Sequence, residues 1–397
     1  MTRIDHLGAF IEQGGASGEN PGAPLVFWDG YGLDNPHSGI ARYARRLADA
    51  LKREGTQPIV LGNDESCHAF RDLPHFSHVH EGSFRKLREL KIVWPQVTGA
   101  FLEDSLTGAS LVGRRAILHG LSNFNIPVWP KIRRFKRVLT VHDIIPLLEP
   151  NAVSRGYYLQ FRAILHRALS LADGVVCVSN WTRDTLLERY PDAERKIYVI
   201  RNGIEEVGQD LSSRDFQLRR ALRPQFICVS RYEKYKRLEL LIDILDALPI
   251  EWQGVVVTDR KGERILRPLV SEMRREVSLK IVTGVSDTEL RHLYQTSHVY
   301  IHPSLFEGFC LPVAEAILAG LPVVFQKGSA IEELVSSDVG CGLGKGSNGQ
   351  EWAHAALSVL GTQESPGWSE TISKHLKILP TWEVGAQTLK NLYNNLS

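Results

Sequence analysis

Two glutamates, Glu307 and Glu315, stand seven residues clear of each other in the stretch Ser304-Leu-Phe-Glu307-Gly-Phe-Cys-Leu-Pro-Val-Ala-Glu315. An apolar run ends at Pro303, a glycine-containing loop follows, and a helix is expected from Leu311 or Pro312, because proline suits the first helical turn. Loop N–H groups at a helix N-terminus form a concavity for anions or hydroxyls. Two carboxylates flanking it can accept hydrogen bonds from two polyol parts of one ligand. Taken alone, Glu315 also fits the role of an ordinary acid favoured by the helix dipole.

Cations and small residues cluster elsewhere. The turn Val229-Ser-Arg231-Tyr-Glu-Lys-Tyr-Lys236-Arg-Leu carries a planar fork, Arg231, and a point charge, Lys236, both suited to a diphosphate. Lys234 and Arg237 are the reserves in that turn, and all four also fit a solvated surface. Gly39 opens a helix after the first strand, where a missing side chain lets backbone N–H groups approach a phosphate. Its loop begins Gly30-Tyr-Gly-Leu-Asp-Asn and lacks the third glycine of a dinucleotide fingerprint. His142 and Asp143 follow an apolar run, which fits acid–base work or, equally, a satisfied core histidine beside a strand-end cap.

The elements that must position these residues alternate strand and helix, the mark of parallel βαβ architecture. Strands are expected at Leu25–Trp28, Ile59–Leu61, Ala116–Leu118, Val138–Val141, Gly174–Val178 and Lys196–Ile200, with helices around Ile40–Arg53, Gly156–Ala172 and Trp181–Arg189. The pattern restarts with strands at Phe226–Val229, Gly254–Val257, Leu279–Val282, Val299–His302 and Pro322–Phe325. Helices are expected at Leu238–Leu248, Ile265–Glu276, Asp287–Thr296 and Leu311–Ala319, and a last one at Trp382–Leu396. The expected division is a first domain over 1–205 with a loose leader at 1–22, a second over 206–380, and a closing helix over 381–397. The boundary falls in the polar stretch Glu205–Leu218.

At 397 residues the chain is too long for one ordinary core. A net charge of +2 gives no general pull toward nucleic acid. Two basic clusters, Arg85, Lys86, Arg88 and Lys91, then Lys131, Arg133, Arg134, Lys136 and Arg137, fit either a solvated face or a surface meeting anionic lipid. Five scattered cysteines without a C-x-x-C pair argue against a disulfide scaffold or zinc site and fit a reducing compartment. The N-terminus has no apolar core of a signal peptide and no run of 18 apolar residues exists, so the expected location is cytoplasmic, with any membrane contact peripheral on the inner face.

The Glu307–Glu315 stretch resembles the E-x7-E signature of retaining GT-B glycosyltransferases of family 4, where the pattern runs P-S-x-x-E-G-F-G-L-P-x-x-E-A-x-A-x-G-x-P-V. The departures are Cys310 for the usual glycine and Leu318 for the usual alanine. Gly39-Ile-Ala-Arg-Tyr resembles the family's G-I-x-R-Y element, and His142-Asp-Ile-Ile-Pro146 the H-D-x-x-P segment of its mannosyl- and glucosyltransferases. Val178-Ser179-Asn180-Trp-Thr and Ile200-Arg-Asn202-Gly203-Ile204 resemble architectural segments, a helix cap and an interdomain exit.

The resemblance implies two Rossmann-like domains with a cleft between them and a C-terminal helix crossing back to the first. It implies that Glu307 contacts the transferred sugar, Glu315 the ribose, the amides around Gly308, Phe309, Cys310 and Leu311 the sugar hydroxyls, and the segment at Val285 the base. His142 and Asp143 would lie beside the donor sugar, while Arg231, Lys236 and the Gly39 amides stabilise the departing diphosphate without a metal or cofactor.

The donor expected from this resemblance is GDP-mannose, with a UDP-sugar of glucose type second. The acceptor is a glycan or lipid-linked glycan of a bacterial surface polysaccharide. A UDP-sugar epimerase, a phosphorylase and a non-catalytic binding partner are the rivals. No pyridoxal-binding lysine is identified for a phosphorylase, and a scaffold has no need of Glu307, Glu315, Arg231 and Lys236 together. Removing Glu307 or Lys236 is expected to abolish transfer with little loss of folding.

Overall fold

Leu25–Asp29 (β1) is buried at every position, as a strand covered on both faces of a parallel sheet must be. The computed structural model describes residues 7, 9, 11, 23–33, 38–63, 70–79, 93–107, 113–128, 134–204, 223–273 and 278–396. The chain divides into two units, Met1–Gly203 with Pro380–Ser397, and Ile204–Leu379. The stretch 205–218 and the basic residues Arg85, Lys86, Arg88, Lys91, Lys131 and Arg133 lie outside the described residues.

In the first unit, helix Gly39–Arg53 (α1) follows β1. Strands Ile59–Asn63 (β2), His75–Val79 (β3), helix Val93–Ser105 (α2), Ala116–Gly120 (β4) and Lys136–Val141 (β5) come next. Helix Arg155–Leu171 (α3), strand Gly174–Cys177 (β6), helix Asn180–Arg189 (α4) and strand Ile197–Val199 (β7) complete the run. The seven strands are parallel in the order β3-β2-β1-β4-β5-β6-β7. The chain therefore winds outward from β1 in one direction and from β4 in the other, leaving a switch point between them, where ligands of such sheets bind at the carboxyl ends of the strands.

The second unit repeats this plan with Gln225–Val229 (β8), helix Leu238–Asp246 (α5), Gln253–Val257 (β9), helix Arg260–Ser271 (α6), Ser278–Val282 (β10) and helix Asp287–Thr296 (α7). Val299–His302 (β11), helix Leu311–Leu318 (α8), Val323–Gln326 (β12) and Gly340–Leu343 (β13) follow, then helices Gly349–Gln363 (α9) and Trp368–Leu376 (α10). Its six parallel strands run β10-β9-β8-β11-β12-β13, with the switch point between β8 and β11. The apolar face of α5 (Leu238, Leu241, Ile242, Leu245) packs in one cluster with Phe226, Val256, Ile301 and Trp352.

The last helix, Trp382–Leu396 (α11), belongs to the first unit. Tyr393 accepts a hydrogen bond from Trp28 Nε1 at 3.2 Å and lies 2.6 Å from His119 Nδ1, and His119 Nε2 lies 2.8 Å from Thr140 Oγ1. A Cβ on Gly203 would sit 2.1 Å from the Trp382 nitrogen, so the Asn202-Gly203 turn needs glycine for the close approach of this helix.

Several expectations are corrected. Leu7 and Ile11, assigned to a loose leader, are buried in one cluster with Leu25, Phe27 and Ile59. Helix α6 begins at Arg260, because Asp259 accepts from the Gly262 N–H and caps it there. Strand β13, sequence GCGL, has no apolar run to announce it and sits at a sheet edge. Three residues of the second basic cluster are accounted for inside the chain: Arg134 pairs with Glu103, Lys136 lies 2.9 Å from Asp173, and Arg137 is buried.

Candidate active site

At the switch point of the second unit, the turn after β8 and the loop after β11 are tied together by the Leu305 N–H donating to the Tyr235 carbonyl at 2.8 Å. The turn carries Lys236 and the loop carries Glu307. Their side chains meet, Lys236 Nζ lying 2.5 Å from Glu307 Oε1, with side-chain exposures of 16% and 9%. His302, at the end of β11 and 2% exposed, reaches the same Oε1 with Nε2 at 2.6 Å. Burial alone would raise the Glu307 carboxyl, but Lys236 and His302 outweigh it and hold it down at about 2. Burial likewise opposes the Lys236 charge, and the Glu307 carboxylate overcomes that and drives its pKa up. Two residues assigned separate tasks from sequence thus form one ion pair.

The loop continues into α8 through Cys310, which has φ 77° and ψ 74°, the left-handed region that favours glycine. That explains why a glycine suits this position. Cys310 makes no side-chain cap, so the first-turn amides of α8 beginning at Leu311 have no such partner from it. Phe309 and Cys310 are buried, and Gly308 lies in the same loop. Glu315, one turn into α8, accepts from Tyr294 Oη at 3.2 Å, so a hydroxyl donor already meets that carboxylate.

The remaining cations separate. Arg231 is exposed, and its guanidinium has no ion pair among the described residues. Arg237 adopts φ 53° and donates to Gln326 Oε1 at 2.9 Å, which commits one of its five N–H donors to that side chain. Lys234 is exposed. Val285 lies between β10 and α7, after Gly284 at φ 67° and before Ser286, whose capping box with Glu289 fixes the helix start.

In the first unit, Gly39 opens α1 behind the N-cap Ser38, and a Cβ there would meet no atom within 4 Å. Across that unit's switch point, Asn125 Nδ2 donates to the Tyr31 carbonyl at 2.8 Å. His142 follows β5, with Nε2 2.8 Å from the Leu121 carbonyl and its ring edge-on to Tyr43 at 4.9 Å. Burial lowers its pKa to about 4, which the Leu121 contact only partly opposes. Burial thus favours a neutral imidazole whose Nε2–H donates to the Leu121 carbonyl and whose Nδ1 is left as an acceptor. Asp143 Oδ1 accepts from the Ile145 N–H at 3.0 Å, the capping alternative.

Sequence reasoning missed the residues that hold these in place. Asn123 accepts from the His142 N–H at 3.0 Å and donates to the Asp143 carbonyl at 2.7 Å. Thr182 Oγ1 donates to the His142 carbonyl at 3.0 Å, which gives the Val-Ser-x-x-Thr segment a positioning task beyond its Ser179 cap. His302 was also missed, although a histidine ending a parallel strand five residues before Glu307 was the available signal.

Among the described residues no helix is long and apolar enough to cross a membrane. The two doubly wound sheets define the GT-B architecture. HepE of Anabaena, solved in complex with UDP and glucose, superposes with a TM-score of 0.68 at 20% identity, covering 93% of this chain and 99% of that one. The model of the glycosyl transferases group 1 matches residues 212–366, and that of Glycosyltransferase Family 4 matches 37–206. The chain belongs to this family of glycosyl transferases. An O-antigen chain mannosyltransferase of Salmonella typhimurium is 24% identical over 51% of this chain and 55% of its own length. O-antigen chain mannosyltransferase B of Escherichia coli is 27% identical over 55% and 59%. The chain therefore spans a little over half the length of these relatives.

Proposed function

We propose that this chain is a retaining, metal-independent glycosyltransferase that moves mannose from GDP-mannose to a glycan or lipid-linked glycan of a bacterial surface polysaccharide, acting on the cytoplasmic side of the membrane. The observation that carries the reading is the buried Lys236–Glu307 pair at the switch point of the second unit, beside the N-terminus of α8 and Glu315. A carboxylate held ionised accepts hydrogen bonds from sugar hydroxyls, and the amides at Gly308, Phe309, Cys310 and Leu311 donate to them. Glu315 takes the ribose, the Val285 segment the base, and Arg231, an exposed guanidinium, the diphosphate together with Lys236. The first unit takes the acceptor, with His142 accepting through Nδ1 and Asp143 shaping its loop.

In the proposed reaction the acceptor oxygen bonds to the anomeric carbon from the leaving-group face while the bond to the β-phosphate oxygen breaks. The acceptor proton passes to that phosphate, so no enzymic nucleophile is needed. Mannose is favoured by the two O-antigen mannosyltransferases. A glucose-type UDP-sugar is the second reading, favoured by HepE with UDP and glucose.

The test is a thermal-shift screen of the full chain with GDP, UDP, ADP and their sugars, followed by transfer assays with EDTA and assignment of the product anomer. GDP and GDP-mannose should raise Tm by mass action. No shift with any nucleotide would sink the reading. Strict metal dependence, or an inverted anomer, would each remove its own part of the proposal.

A further inference from the structure

Among the described residues, one group of side chains has the donor set and spacing of a metal site: His302, Glu307 and Cys310, whose ligand atoms all lie within 4.8 Å of one another. Cys310, which supplies the thiol, stands where the family resemblance has the usual glycine. Its Sγ lies 3.4 Å from His302 Nε2. Tetrahedral zinc with a thiolate and an imidazole places those two atoms about 3.6 Å apart. Nε2 and Glu307 Oε1, at 2.6 Å, would open to about 3.4 Å around the same ion.

The histidine is also oriented for this. Tyr300 Oη donates its one proton to the Val229 carbonyl at 3.1 Å and lies 3.2 Å from His302 Nδ1, so it accepts from an Nδ1–H. Nδ1 thus has an outer hydrogen bond of the kind that metal-bound histidines make, and Nε2 faces both the carboxylate and the thiol. A borderline-soft divalent ion beside Nε2 would gather the three donors at once.

We infer that His302, Glu307 and Cys310 form an inhibitory zinc site. Zinc on Glu307 Oε1 excludes the Lys236 ammonium from that oxygen, and the Cys310 thiol proton leaves to solvent on binding. The inhibition rests on the function proposed above; the binding does not.

The full chain is titrated with zinc chloride against a chromogenic chelator, and with cobalt chloride for its absorption spectrum. The wild type should take one equivalent of zinc and give cobalt an intense tetrahedral spectrum with a thiolate charge-transfer band. Cys310→Ser and His302→Gln should each bind zinc at least about tenfold more weakly, and Cys310→Ser should lose the thiolate band. Absence of zinc binding by the wild type, a cobalt spectrum without that band, or wild-type zinc affinity retained in either variant would overturn the site. If a variant fails to fold, the wild-type cobalt spectrum decides. Zinc binding without any nucleotide-induced Tm shift would sink the functional reading and leave the site standing. In transfer assays, each protein compared with its own zinc-free rate, the wild type should be inhibited and Cys310→Ser resistant.

Discussion

Lys236 Nζ and Glu307 Oε1 lie 2.5 Å apart, and the carboxylate oxygen they share also meets His302. A pair this enclosed couples folding to activity. Removing one partner strands a charge in a poorly solvated place, which typically costs about 3–5 kcal/mol, whereas removing both can be close to neutral.

Glu307→Gln and Lys236→Met should therefore each lower stability by about 3 kcal/mol in urea unfolding, and the double variant should recover much of the loss. This replaces the expectation that either change spares the fold. Transfer should fall at least about a hundredfold in all three, since the charge at the reacting centre is gone. Additive destabilisation in the double variant would contradict the pairing.

Arg231 and Arg237 should behave oppositely. Arg231 is exposed and without an ion pair among the described residues, so Arg231→Ala should change stability by less than about 0.5 kcal/mol while transfer drops about tenfold to a hundredfold. Arg237 holds Gln326, a fully buried side chain, so Arg237→Ala should cost about 1–3 kcal/mol of stability. Unfolding curves and donor kinetics on both variants separate the two roles.

Acid should weaken the first unit before it protonates Glu307. Burial lowers His119 to about 3, with a smaller push from His142, and burial lowers His142 to about 4. Each stays neutral in the folded chain while the unfolded chain takes up a proton below pH about 6.5. The unfolded state then binds more protons, so stability is unaffected above that pH and falls as pH drops from about 6.5 toward 4. The slope is about 1.4 kcal/mol per pH unit for each histidine. Glu307 has its pKa depressed to about 2, so its contribution is present above the ordinary carboxylate value and is lost only as pH falls through about 2. Urea midpoints at pH 7 and 5 should differ markedly in the wild type and less in His119→Gln.

The C-terminal helix should be sensitive to single atoms. Tyr393→Phe removes the acceptor for Trp28 Nε1 and the partner of His119, at a cost of about 1–3 kcal/mol. Gly203→Ala places a methyl 2.1 Å from the Trp382 nitrogen, against backbone that has no rotamer to yield, and should also lower Tm. Unchanged melting in both would argue against this packing.

Much of the fold was legible from local pattern. The buried strands β1, β6, β11 and β12 are apolar runs, three of them closing on one polar residue (Asp29, His302 and Gln326), and α1 repeats its apolar residues at helical spacing. The strands β3 and β13 escaped because edge strands need no continuous apolar run, and Leu7 and Ile11 escaped because the short apolar stretch around them was weighed only against the longer core of a signal peptide.

The amino-acid sequence by itself determined the alternation of strand and helix, the loop before α8, and the residue types that could bind a sugar nucleotide. Only the tertiary structure decided which of them meet. Glu307 and Lys236 are 71 residues apart, and the crossover between β8 and β11 is what brings them to one switch point. Packing likewise joined Arg237 to Gln326 in that unit and His142 to Leu121 in the first, whereas the Asp143 contact with Ile145 is local to its own turn. Spacing along a chain reports local periodicity, whereas charge pairing and hydrogen-bond partners depend on burial and on contacts that the sheet order alone creates.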